Sequence, residues 1–112
     1  MCGNMVKIYN KLVRDNIPEI IRRDNQVPII KVLNDNEYKK ALEDKIMEEY
    51  KEVIESLGSD RLEELADMLE LIKALAEIEK SSLEEVIELA NNKRDKRGGF
   101  SKRIFLERIE EK

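Results

Sequence analysis

The chain has 112 residues, 41% hydrophobic and 41% charged, with four glycines, two prolines and a formal net charge of −4, which describes one helical domain over 1–112 with residues 1–8 as a mobile lead-in. The acidic balance argues against a nucleic-acid binder, and the absence of histidine excludes a Ser-His-Asp triad, a His-ligated zinc and a histidine general base. A single cysteine, Cys2, excludes an internal disulfide or a cysteine metal site, and no apolar run reaches the roughly 20 residues of a membrane span, so the expectation is a soluble cytoplasmic protein.

In chain order, Pro18 suits a first helical turn and predicts a short helix over about 17–24. The stretch VPIIKVL at 27–33 is short and β-branched, and reads as a strand. Asn34 or Asp35 caps a long helix that runs toward Gly58. Asp60 and Glu63 have capping-box spacing and predict the start of the next helix. Ser81 and Ser82 interrupt it and cap a fourth helix that ends at Gly98-Gly99. FSKRIFLERI at 100–109 reads as a second strand pairing with 27–33. The predicted fold is all-α: a bundle of about four helices with a small two-stranded β ribbon at one end.

Four acids break the amphipathic pattern. At about 100° per residue, Glu64 falls between Leu71 and Leu75 on the apolar arc of the third helix, and Asp67 lies between Ala74 and Ile78. On the second helix, Glu49 falls between Tyr38 and Leu42, and Glu52 between Ala41 and Tyr38. Residues i and i+3 share a face, so each Glu-x-x-(Glu/Asp) pair converges, and a tight antiparallel turn brings the two pairs together. Two like charges about 5 Å apart repel by roughly 3 kcal/mol at an effective dielectric of 20. Divalent cations relieve that repulsion, and an oxygen-only donor set suits Mg²⁺ or Mn²⁺. The same spacing recurs at Glu85/Glu88, opposite the apolar stripe, where it is solvated. Inward phase therefore distinguishes the two pairs, against the alternative of carboxylates held by Lys or Arg in a structural network.

On the fourth helix the inward stripe of Leu83, Val86, Ile87 and Ala90 continues into Lys93, Arg94 and Arg97. Basic residues favour the last turn through the helix dipole; the functional alternative is that Lys93 and Arg97 bind phosphate. Lys11, Arg14 and Asp15, just before the first helix, form a second candidate anion site. Acids for a cation beside bases for phosphate describe a nucleotide hydrolase, and the lack of a Gly-x-x-x-x-Gly-Lys loop excludes a P-loop enzyme.

EEYKE at 48–52 followed by EELAD at 63–67 resembles the Glu-x-x-Glu…Glu-x-x-Asp signature of the all-α nucleoside triphosphate pyrophosphatases, the MazG-like superfamily. YNKLVRDNIPEII at 9–21 and KRDKRGGFSKRIFL at 93–106 resemble its small single-domain branch, described as phosphoribosyl-ATP pyrophosphohydrolase-like or as house-cleaning pyrophosphatases. The resemblance covers Tyr9 to Leu106. It implies Mg²⁺-dependent hydrolysis between the α and β phosphates, giving a monophosphate and pyrophosphate. It implies metal ligation by Glu49, Glu52, Glu64 and Asp67, a water-activating role for Glu48, and phosphate contacts from Lys93 and Arg97. It also implies a homodimer or homotetramer, with a nucleotide as substrate and neither nucleic acid nor membrane as partner. The competing class is a non-catalytic helical dimerisation or regulatory module whose acids sit in salt bridges.

Overall fold

A computed structural model of the chain describes residues 5–112 and contains four helices: α1 (Ile17–Arg23), α2 (Asp35–Glu55), α3 (Gly58–Ile78) and α4 (Leu83–Arg97). The expectations for Cys2 and for residues 1–4 lie outside the described residues. No described helix is long and apolar enough to cross a membrane.

Local chemistry sets most helix ends. Pro18 sits in the first turn of α1, which stops one residue earlier than expected. The Asn34 side chain accepts from the Glu37 N–H while the Glu37 carboxylate accepts from the Asn34 N–H, a complete capping box that starts α2. A cap of this kind is worth about 1 kcal/mol. Ser82 caps α4 through the Glu85 N–H, and Gly98, at φ 81, ends it.

The join between α2 and α3 differs from its expectation. The box proposed for Asp60 and Glu63 does not form, because α3 already begins at Gly58, behind Leu57, without a side-chain cap. Gly58 takes the left-handed φ of 58, so the chain reverses with only Ser56 and Leu57 between the helices. Arg61 then reaches back: its Nε donates to the carbonyls of Val53 (3.1 Å) and Ser56 (2.9 Å), and its Nη2 to that of Ile54 (3.4 Å). Those carbonyls are the orphan acceptors at the end of α2.

The β ribbon is corrected: among the described residues there is no strand. Residues 27–33 and 104–109 lack helical structure but do not pair, and Val27, Ile29, Val32, Ile104 and Phe105 are exposed. A β-branched run favours extended backbone, but a strand exists only when a neighbour takes up its N–H and C=O groups.

Packing concentrates in the α2–α3 hairpin, with Leu42 fully enclosed and Ala76 buried near the end of α3. The α4 helix meets α3 through its first turns, where Leu83 and Val86 are half-buried; every residue from Ile87 onward is exposed. The chain measures 79 × 33 × 25 Å, with a radius of gyration of 19.8 Å. A compact chain of this length would have a radius of about 13 Å.

Candidate metal centre

The α2–α3 hairpin buries a charged side chain at its centre. Glu49 is 7% exposed and shares the packed face of α2 with Leu42. Glu64 and Asp67, one turn apart on α3, are half-buried and face it. One carboxylate oxygen from each of the three lies within 4.8 Å of the others. The i, i+3 spacing and the two-residue turn thus do what the sequence demanded: they bring acids of both helices to one point.

The electrostatics follow from that geometry. Burial pushes the Glu49 carboxyl up to about 7, reinforced by a hydrogen bond with Glu64 and by the charges of Glu64, Asp67 and Glu52. Oε1 of Glu49 is buried with no hydrogen-bond partner. An orphaned oxygen in a packed interior costs about 1–3 kcal/mol. A hard cation would complete it, since the donor set is oxygen alone and Mg²⁺ or Mn²⁺ takes such ligands.

Of the four acids expected as ligands, Glu52 is not in the cluster. It is exposed, one turn beyond Glu49 and near the end of α2, and contributes through its charge alone. Glu48 also stands outside the cluster. Its carboxylate pairs with Lys11 at 3.4 Å and with Lys45 at 3.9 Å.

The segment before α1 lies across this face. Arg14 donates to the Asp67 carboxylate at 2.7 Å, and Lys11 reaches Glu48 while its Nζ lies 5.8 Å from the Tyr9 ring. Two residues expected to hold an anion therefore rest on the acids in this state. Both ion pairs are about half-exposed, which limits each to at most about 1 kcal/mol. An open recess of about 340 Å³ lies beside them, lined by Tyr9, Lys11, Lys45 and Glu48 among others. Asp15 is exposed and takes part in no ion pair among the described residues.

Lys93 and Arg97 are exposed on α4 and form no ion pair with the acids among the described residues. The structure of a single chain thus brings together three of the acids and the segment carrying Lys11 and Arg14, but not the α4 bases. Sequence reading missed Lys45 and Arg61. Lys45 lies three residues before Glu48, which is a readable signal; Arg61 had none, because its partners are backbone carbonyls.

No protein-family profile matches the chain. A protein of Mycolicibacterium smegmatis, described only as uncharacterised, is 49% identical over 43 residues. That stretch is 38% of this chain and 44% of the relative, so the chain matches less than half of the relative's length. No solved structure matches.

Proposed function

We propose that the protein is a divalent-metal-dependent nucleotide pyrophosphohydrolase with a house-cleaning role, cleaving a nucleoside triphosphate, or a phosphoribosyl-ATP-like substrate, between the α and β phosphates. The observation that carries this reading is the buried, unpartnered Oε1 of Glu49 inside a three-carboxylate cluster. Glu49, Glu64 and Asp67 would hold Mg²⁺, or Mn²⁺ in its place. When bound, such a cation polarises a phosphoryl oxygen, lowers the pKa of its water and offsets the charge of the leaving pyrophosphate.

The chain's own groups supply the rest. Glu48 is steadied by Lys11 and Lys45 at the edge of the cluster, where it would orient a water and accept its proton. Water attacks the α phosphorus, the bond to the bridging oxygen breaks, and the electron pair leaves with pyrophosphate. Lys11 and Arg14 would exchange their carboxylate partners for phosphate oxygens as substrate enters, since the Arg14 guanidinium can bind either in a forked geometry and the Lys11 ammonium pairs with either as a point charge. The recess beside Tyr9 offers room for part of the nucleotide.

A second reading has one observation in its favour. The 2.7 Å pair of Arg14 with Asp67 suits a non-catalytic helical module whose acids are salt-bridged. Purified protein screened against nucleoside triphosphates with Mg²⁺ or Mn²⁺, with pyrophosphate detection, tests the enzyme reading; release of orthophosphate and a diphosphate would contradict it. Isothermal titration with either ion separates the two readings, because a scaffold binds neither.

A further inference from the structure

The segment before α1 is a basic strap with little to hold it down. Residues 5–14 contain Lys7, Lys11 and Arg14 and no acid. They form neither helix nor strand. The far end of the strap is anchored, because the Arg14 carbonyl accepts from the Ile17 N–H at 3.1 Å in the first turn of α1. Ahead of that point it meets the hairpin through half-buried Leu12, which lines the recess with Ala41, and through two ion pairs, Lys11 with Glu48 and Arg14 with Asp67.

One of those pairs sits on the acid cluster itself. Nη2 of Arg14 donates to Oδ1 of Asp67 at 2.7 Å, and Asp67 is one of the three acids whose oxygens lie within 4.8 Å of one another. The guanidinium thus supplies positive charge at the rim of the cluster, while Oε1 of Glu49 stays buried without a partner in its interior. The two candidate cations differ in kind. A guanidinium spreads one charge over a plane, whereas Mg²⁺ holds two charges at a point and takes several oxygens at once. Three carboxylates can engage the ion; the guanidinium engages one of them. The Arg14 side chain is 59% exposed, so water replaces its carboxylate at little cost. A divalent ion on Asp67 sets like charges side by side, and the guanidinium is then repelled from the position it holds.

We propose that the strap is a resident competitor of the metal: Arg14 rests on the acid cluster in the metal-free protein, and a divalent ion held by Glu49, Glu64 and Asp67 displaces it. Asp67 keeps a cationic partner in both states. Lys11 moves with Arg14, since only Leu12 and Val13 separate them. Metal entry and release of the basic segment are then one event. The exchange rests on the metal-holding part of the reading above and not on hydrolysis; only the later use of the freed bases for phosphate depends on the reaction.

The test uses the full-length chain, Mg²⁺ as the probe, and readouts other than activity. In EDTA, NMR relaxation should give the backbone amides of residues 10–14 an order parameter near the rigid value of about 0.85, and saturating Mg²⁺ should lower it below about 0.6. The amides of α2 and α3 should keep theirs. Isothermal titration should show Mg²⁺ binding to Arg14→Gln about two- to fivefold more tightly than to wild type, the range that a half-exposed ion pair allows. Circular dichroism of the variant should match wild type, because the replaced side chain is exposed. Strap amides that stay ordered at saturating Mg²⁺ overturn the proposal, and so does a variant that binds Mg²⁺ no more tightly than wild type. Absence of Mg²⁺ binding in both chains overturns it together with the metal site. Mg²⁺ that binds and frees the strap in a protein that cleaves no nucleotide sustains the exchange and removes the enzyme reading.

Discussion

The α2–α3 hairpin and the arm formed by α4 and the residues behind it use the same materials to opposite ends. The hairpin places charge inside and tolerates the cost; the arm leaves both its charge and its apolar groups in water. Inside, Glu49 has lost its solvent and gained neighbours of its own sign, so its protonation is displaced. Outside, Lys93 and Arg97 keep their solvent. The difference shows that like charges displace protonation only where solvent is withdrawn: Glu49 has lost it, and the α4 bases have not.

The sharpest way to break the contrast is Glu64→Gln. Activity should fall by several orders of magnitude, while the metal-free protein melts no lower than wild type, because a repelling partner has been replaced by a near-isostere. Mg²⁺ should raise the melting temperature of wild type and raise that of the variant less. Melts in EDTA and in Mg²⁺ decide it; a variant far below wild type in EDTA contradicts the cation explanation.

A step smaller is the pH dependence of the metal-free hairpin. Glu49 holds its proton up to about pH 7 when folded, against an ordinary value of 4.5, so the native state binds more protons between those limits. Stability is therefore full below about 4.5 and falls as pH rises to about 7, by an amount on the order of 3 kcal/mol. Denaturant melts across that window in EDTA should show the decline, and Glu49→Gln should flatten it.

On the arm, Arg97→Ala should weaken nucleotide binding by about 1.5–3 kcal/mol and leave Mg²⁺ binding intact. Unchanged KM and kcat would return Arg97 to the helix dipole. The smallest effect belongs to the pair that crosses the hairpin's mouth. A double-mutant cycle on Arg14 and Asp67, read by denaturant melts in EDTA, should give a coupling of about 0.2–1 kcal/mol. A coupling of several kcal/mol would favour the salt-bridged scaffold.

The hairpin was largely legible in the sequence, because helical phase follows from residue spacing alone. Glu49, Glu64 and Asp67 were placed inward by that rule, and they converge. Glu52 was placed inward by the same rule and is exposed. The packed arc of α2 is narrower than helical phase implies: burial centres on Leu42 and Glu49, and Glu52 lies at its edge. A wheel gives direction but not the distance to the next helix. The strands at 27–33 and 100–109 failed for another reason. β-branching is a local property, whereas pairing depends on a partner that composition does not name. The capping box at Asp60 does not form because α3 already begins at Gly58, and no spacing rule detects what joins the two helices there, the Arg61 guanidinium that satisfies carbonyls at the end of α2.

That guanidinium has a kinetic consequence. Every carbonyl held by Arg61 lies at most eight residues away in the chain, so the bend between α2 and α3 closes through short loops. Short loops close fast, at a rate independent of concentration. Refolding would then include a first-order phase that assembles the acids, with a rate unchanged on dilution.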